Sequence, residues 1–184
     1  MIRQPALEGV LSALRGGAKA VGCAGLTELA KALAVAHVTH ELRRPAFLLV
    51  ESNKKAEAIA ATLRFCFSIF PGPFSATGGG VAVLPAFDTL PWESRAPHAD
   101  ILERRAATLY RLAAGEVSLV IAPAAAALLR YREASEYADL TRVLEKDNDV
   151  PLEAFLGHLG ATGYARTEMV ELPGQFAVRG GIVD

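Results

Sequence analysis

Residues 21–33, VGCAGLTELAKAL, have the spacing of a loop that could hold a phosphate group. Gly22 and Gly25 lie in a turn after a short apolar stretch, and Thr27 begins a helical pattern. Backbone N–H groups of such a turn and the N-terminus of the helix can bind an anion. A Walker A loop also needs a lysine that reaches the β- and γ-phosphates, but Leu26 follows Gly25 here. We therefore interpret Gly22, Gly25 and Thr27 as a degenerate phosphate-loop position, with a plain glycine turn favoured over residual phosphate binding.

Arg179 is a second candidate, because it lies at the end of an apolar strand pattern. Phe176 and Val178 precede it, and Gly180 and Gly181 follow it. A guanidinium at a tight strand end is accessible to a flat partner, which suits an ion pair across a protein interface. An ordinary exposed arginine beside a glycine turn is the alternative, and the residues alone leave both open.

The segment 84–112 combines prolines, aromatic residues and carboxylates, which invites an active-site interpretation. Nothing in the spacing places two of the carboxylates across one substrate bond, so we predict no catalysis here. We expect Phe87 and Trp92 to be buried against a sheet, with prolines fixing an extended connection. The acidic residues concerned are Asp88, Glu93 and Asp100.

The histidines and cysteines do not form a metal-binding pattern. His37 and His40 lie three residues apart on a predicted helix, but no third ligand is close in sequence. We expect both histidines on the surface or at a helix end. Cys23 and Cys66 lack basic neighbours, so we predict that both are small core residues rather than reactive thiols.

Helical and strand patterns alternate along the first two thirds of the chain, which predicts a parallel sheet with helices packed on it. The run AFLLV at 46–50 is apolar throughout, as in strands buried on both faces. The Gly- and Pro-rich segment 71–80 is predicted to be a loop. We therefore assign residues 1–129 to an α/β domain. The predicted strands are 18–21, 46–50, 81–85 and 118–123, and the predicted helices are 5–15, 27–41, 54–65 and 100–113.

The chain becomes more polar after Arg130, and we predict a small α+β domain over 130–184. Its apolar alternation at Leu140 and Val143 is typical of a strand. The last residues lie within an apolar run, so we expect this chain to be part of a longer protein. A helix is predicted at 152–159, with paired strands at 165–172 and 175–180 around Pro173-Gly174.

The composition excludes several classes of protein. With 19 Lys and Arg against 20 Asp and Glu, the formal net charge is −1, which argues against a general nucleic-acid binder. The 52% content of hydrophobic residues requires a buried core. Charges interrupt every apolar stretch before it reaches the length of a membrane helix. Two cysteines favour a reduced compartment, so we expect a soluble cytoplasmic protein without a membrane association.

Two segments in this order resemble the bacterial transcription-repair coupling factor family. LPAFDTLPWESRAPHADILERRAATLYRL (84–112) is similar to the W-E-T-L-P-Y segment of that family, and QFAVRGGIVD (175–184) is similar to a Y-A-x-R-G strand that it shares with UvrB. The resemblance implies an incomplete RecA- or helicase-like domain 1a over 1–129 that has lost its nucleotide site. A truncated domain 2 over 130–184 would follow. The damage-clamping hairpin of UvrB is not expected, because a helix begins almost directly after Pro97.

In the family, domain 2 recruits UvrA through a surface that includes the arginine of the Y-A-x-R-G strand, which is Arg179 here. The resemblance thus implies a non-catalytic adaptor for nucleotide excision repair, without a cofactor of its own. ATP, Mg²⁺, RNA polymerase and double-stranded DNA would be bound by other parts of a longer DNA translocase. The alternatives are a nucleotide-binding helicase lobe as in UvrB, which the missing lysine disfavours, and a DNA-binding module, which the net charge disfavours.

Overall fold

The computed structural model describes residues 5–69 and 80–184, which fall into two compact units. Unit 1 comprises the described part of Met1–Ala86 together with Gly115–Leu129. Unit 2 comprises Phe87–Ala114 together with Arg130–Asp184. The sequence-based boundary after residue 129 kept 87–114 in the first domain, and that boundary stays a prediction.

Unit 1 contains a three-stranded parallel sheet in the order β1-β3-β2. The central strand is buried along its whole length, as its apolar run leads one to expect. In the register of the sheet, Ala46 and Val81 both lie opposite Leu119. The predicted α/β class with a small parallel sheet between helices is therefore confirmed. The strands are β1 (Ala46–Val50), β2 (Val81–Val83) and β3 (Leu119–Pro123).

Helices of unit 1 pack on this sheet through small side chains. Ala32 and Ala36 of one helix and Ala56 and Ala60 of the next are almost completely buried, so the two helices approach each other closely. Cys66 lies in the same core, where burial raises the pKa of its thiol. Numbered along the chain, the helices of unit 1 are α1 (Pro5–Arg15), α2 (Glu28–Leu42), α3 (Asn53–Ile69) and α5 (Ala124–Ala127), and α4 (Ala99–Ala113) belongs to unit 2.

Two predictions for unit 1 are wrong. The stretch 18–21 is not a strand but part of an irregular connection between α1 and α2. The first strand is not buried on both faces, because Phe47 and Leu49 are 52% and 57% exposed while Ala46, Leu48 and Val50 pack against the core. Alternate residues of a strand point to opposite faces, so one face of β1 is open. The predicted loop at 71–80 lies outside the described residues except for Gly80.

Unit 2 combines short helices with pairs of very short strands. α4 packs against α6 (Ala134–Asp139), and α7 (Leu152–Ala161) contacts β4. β4 pairs with β5 in parallel, and β6 pairs with β7 antiparallel. Among the described residues, none of the helices combines the length and the hydrophobicity that a membrane span requires. The strands are β4 (Ala165–Arg166), β5 (Gln175–Phe176), β6 (Val178–Arg179) and β7 (Ile182–Val183).

Three predictions for unit 2 need correction. Leu140 follows the end of α6, and Val143 lies in an irregular segment, so neither belongs to a strand. The segments 165–172 and 175–180 pair over two residues only and in parallel, so they do not form a hairpin around Pro173-Gly174. Phe87 and Trp92 are exposed, not buried against a sheet.

Candidate protein-interaction site

Arg179 lies on a two-stranded hairpin at the end of unit 2. β6 and β7 are joined through Gly180 and Gly181, and Gly180 has a φ of +63°, which favours glycine because other residues rarely adopt it. Ala177 and Asp184 extend the pairing through two backbone hydrogen bonds of 3.2 and 3.0 Å. The hairpin therefore fixes the backbone position of Arg179.

The outward face of this hairpin carries one charged and one apolar side chain. Arg179 is paired with Ile182 across the two strands, so both side chains lie on the same face. Ile182 is 66% exposed and Arg179 is also exposed. Val178 and Val183 form the other cross-strand pair and are more buried than these two. The exposed face thus combines a cation with an apolar neighbour.

A backbone contact holds the Arg179 side chain in place. Its Nη2 donates a hydrogen bond of 2.9 Å to the carbonyl oxygen of Glu168. The segment around Glu168 is itself held, because the Thr167 hydroxyl donates to Met169 O at 3.0 Å and the Thr167 N–H donates to Phe176 O at 2.8 Å. A guanidinium has several N–H donors, and this bond occupies one of them, so the planar group can still bind a carboxylate.

The glycine turn at residues 22–25 lies in an irregular connection before α2. Gly22 and Gly25 are exposed in an irregular connection, and Gly25 has a φ of +75°. The Thr27 hydroxyl accepts a hydrogen bond of 3.3 Å from Ala30 N and so caps α2. Glu28 follows in the first turn and pairs with Lys55. A carboxylate already complements the positive end of the α2 dipole, which disfavours a second anion there.

A second exposed feature of unit 2 was not predicted from the sequence as a surface. We call Phe87–His98 the Trp92 loop, after a tryptophan that is 79% exposed. The loop leads directly into α4, whose N-cap is His98. Exposure of an aromatic side chain depends on tertiary packing, and the aromatic and proline content of 84–112 gave no signal that distinguishes a buried from an exposed tryptophan.

Phe87, the first residue of the Trp92 loop, contacts the buried Arg105 of α4. The Arg105 guanidinium lies 4.1 Å from the centre of the Phe87 ring and 5.6 Å from that of Tyr131. Arg105 Nη2 also donates a hydrogen bond of 3.2 Å to the Tyr131 hydroxyl. Both rings present their negative faces to the cation. Arg105 therefore connects α4 to Phe87 on one side and to Tyr131 on the other.

The remaining candidates, two cysteines and a histidine, all belong to unit 1. His37 is buried in α2, contrary to the expectation of a surface or helix-end position. Cys66 is a core residue as predicted, but Cys23 is exposed. Within 5–69 and 80–184, no group of three or more His, Cys, Asp or Glu residues could hold a metal ion.

Known proteins share sequence similarity with this chain, including the part that contains Arg179. Residues 143–184 match the UvrB interaction domain, and this range contains the hairpin and Arg179. The transcription-repair-coupling factor of Mycobacterium bovis is 30% identical over 86% of this chain and 13% of its own length. That of Bacillus subtilis is 23% identical over 95% of this chain and 14% of its own length.

UvrABC system protein B of Thermosipho africanus is also similar, with 25% identity over 97% of this chain and 28% of its own length. The chain therefore spans between 13% and 28% of the length of these three relatives. Similarity to both kinds of protein covers nearly the whole chain, and the interaction-domain match adds a specific signature at one end. Most of this chain is accordingly similar to one part of the transcription-repair-coupling factors and of UvrABC system protein B, and its residues 143–184 match the UvrB interaction domain.

Proposed function

We propose that this chain is a non-catalytic adaptor module that docks UvrA in transcription-coupled nucleotide excision repair. The observation that carries the proposal is the match of residues 143–184 to the UvrB interaction domain, with Arg179 exposed on a fixed hairpin within it. As part of a longer protein, the module would bring UvrA to a stalled RNA polymerase. The DNA and polymerase contacts would then belong to other parts of that protein.

The chemistry of the hairpin face supports a protein partner. Arg179 is anchored through Glu168 O, so less side-chain freedom is lost when the guanidinium binds a carboxylate. Ile182 beside it offers exposed apolar surface that a partner could cover. Arginine is one of the residue types most enriched among those that dominate interface affinity. We expect a UvrA surface with an acidic residue next to an apolar patch.

A titration of UvrA from the same organism with this chain tests the proposal. Isothermal calorimetry should give a saturable complex, and its affinity should fall as salt is raised because a charged contact contributes. Analytical ultracentrifugation of the mixture provides an independent readout. Absence of a complex by both methods at micromolar concentrations would overturn the proposed docking.

A nucleotide-binding helicase lobe is the second candidate, favoured by the similarity to UvrABC system protein B over 97% of the chain. The loop at Gly22, Gly25 and Thr27 would then be its nucleotide site. Leu26 in place of a lysine and Glu28 at the start of α2 both oppose phosphate binding. Equilibrium dialysis with ATP and Mg²⁺ distinguishes the candidates: the adaptor should retain no nucleotide, whereas stoichiometric retention would support the helicase lobe.

A further inference from the structure

The Trp92 loop exposes apolar surface that the hairpin face does not explain. Trp92 is 79% exposed and Leu90, two residues before it, is 50% exposed. Single exposed apolar residues are common, but a tryptophan is the residue most enriched where interfaces concentrate their binding energy. Trp92 is also the one tryptophan of the chain. Its exposure therefore makes Trp92 a candidate interface anchor.

Two hydrogen bonds between Leu90 and Glu93 hold the backbone of the turn that carries Trp92. The Glu93 carboxylate accepts a bond of 3.2 Å from Leu90 N, while Glu93 N donates to Leu90 O at 3.0 Å. Both bonds close the turn that contains Trp92. A preorganised anchor loses little conformational freedom on binding, so more of its contact energy appears as affinity.

A hydrogen bond also joins the two ends of the Trp92 loop. The Asp88 carboxylate accepts a hydrogen bond of 3.1 Å from His98 N, and Arg95 Nη2 donates to Asp88 O at 3.0 Å. Phe87 is held on Arg105, whose side chain is 6% exposed. The base of the loop is thus tied to α4, and the loop presents Trp92 from a rigid support.

The charges around Trp92 select the kind of partner. Acidic residues outnumber basic ones in the loop and the first turn of α4, with Asp88, Glu93 and Asp100 against Arg95. Negative charge beside an aromatic ring repels a phosphate backbone, which disfavours nucleic acid. The same charges complement a protein pocket that has an apolar floor and a rim of lysine or arginine.

We infer that the Trp92 loop is a second docking element of this module, which inserts Trp92 into an apolar, basic-rimmed pocket of UvrA. The inference rests on the proposed function, since Trp92 and Arg179 belong to the same compact unit and a single partner can engage both. Two separate anchors on one unit would fix the orientation of UvrA, which one arginine contact alone does not do.

Calorimetric titration of UvrA with three forms of the chain tests this inference. Trp92→Ala should weaken binding about tenfold or more, as expected for an interface anchor. Trp92→Phe, which keeps an aromatic ring, should weaken it less. Leu128→Ala is the matched control, because Leu128 is 84% exposed in unit 1 and its loss should leave binding unchanged. Circular dichroism should show the same fold for all forms.

Fluorotryptophan incorporated at the single tryptophan gives a direct readout. Its fluorine NMR resonance should shift and broaden on addition of UvrA and remain unchanged with single-stranded DNA. If the wild-type chain binds UvrA and Trp92→Ala binds equally well, the inference is overturned while the proposed function stands. If the wild-type chain does not bind UvrA, both fail. A resonance shift with DNA alone would also overturn the inference, in favour of a nucleic-acid contact.

Discussion

Arg105 and Arg179 show how burial changes what one residue type does in unit 2. Arg179 is exposed, and its guanidinium donates a hydrogen bond to the backbone carbonyl of Glu168. Arg105 is buried, and its charge is compensated by the Phe87 and Tyr131 rings and by the Tyr131 hydroxyl. The first is suited to binding a partner, and the second stabilises the base of the Trp92 loop.

Arg105→Ala should therefore destabilise the chain by about 2–3 kcal/mol, since it removes two ring contacts and leaves space in the interior. Urea unfolding followed by circular dichroism measures the change. Arg64→Ala is the matched control: Arg64 is exposed on α3, and its loss should change stability by less than about 0.5 kcal/mol. Equal effects of the two substitutions would contradict the stacking role.

Asp88 should titrate below its ordinary range. The backbone N–H of His98 bonds to its carboxylate and lowers its pKa from the ordinary value of 3.8. Because the folded-state pKa is depressed, this contribution to loop stability is present above the ordinary value and is lost as the pH falls through the folded-state pKa. NMR of the side-chain carboxyl carbon checks this, with Asp88→Asn assigning the signal. A midpoint at or above 3.8 would refute the interaction.

At the scale of the elements, Asn53 ties together two strand ends of the parallel sheet. Its Oδ1 accepts a hydrogen bond of 2.8 Å from Ala86 N, and its Nδ2 donates to Ala86 O at 3.0 Å. Asn53 begins α3 after β1, and Ala86 follows β2, so the bonds lie at the carboxyl edge of the sheet. Ligands of open α/β sheets commonly bind at this edge. In this chain the Asn53 side-chain amide at that edge binds the backbone of Ala86 instead.

Asn53→Ala should cost about 1–3 kcal/mol of stability, because it leaves the N–H and the carbonyl of Ala86 without these partners. Thermal unfolding of the chain measures the loss. Asn148→Ala serves as the control, since the Asn148 side chain is exposed and its Nδ2 donates a hydrogen bond of 3.0 Å to the nearby Glu145 carboxylate. A loss no larger than that of the control would show that the Ala86 bonds contribute little.

Elements with a strong local pattern were predictable from the sequence, and elements made by distant contacts were not. The predicted α1 and β1 have the bounds that the structure shows, because amphipathic and continuous apolar runs specify them locally. α6 was missed because its capping box pairs Glu133 with Glu136, and a glutamate at the N-cap is not one of the residues that signal a helix start. β4 to β7 have two residues each, and such strands exist only through their pairing.

The candidate site was predictable in part for the same reason. Arg179 followed from an apolar strand ending in two glycines, and it does lie on a hairpin strand. Its anchor, Glu168 O, lies eleven residues away along the chain and has no local sequence signal. The prediction that Trp92 is buried was wrong. The sequence shows that the side chain is aromatic, but it does not show whether that side chain packs against the rest of the fold. Its role in binding stays a proposal.

At the scale of the whole molecule, the two units differ in how much core they contain. Unit 1 buries leucine, isoleucine and alanine between its sheet and helices, as at Leu63 and Ile121. Among the described residues of unit 2, the buried apolar side chains are Phe176 and Ala177. Local stability follows the amount of buried apolar contact, so unit 2 should open more readily than unit 1.

Native-state hydrogen exchange should therefore protect the two units unequally. Amides of α3, β1 and β3 should exchange slowest, and those of α7 and the short strand pairs β4–β5 and β6–β7 should exchange faster. Mass spectrometry of proteolytic fragments resolves this difference. Uniform protection across both units would contradict it. Addition of UvrA should slow exchange in the hairpin of β6 and β7 if this surface binds it.

The most direct test of the adaptor account is the affinity of UvrA for the Arg179→Ala form of the chain. Calorimetry should show binding weakened by about 1–3 kcal/mol, the loss expected for a charged interface anchor. Arg142→Ala removes another exposed arginine of unit 2, outside the matched interaction domain, and should bind like the wild type. Wild-type affinity in Arg179→Ala, or an equal loss in both forms, would contradict the role assigned to Arg179.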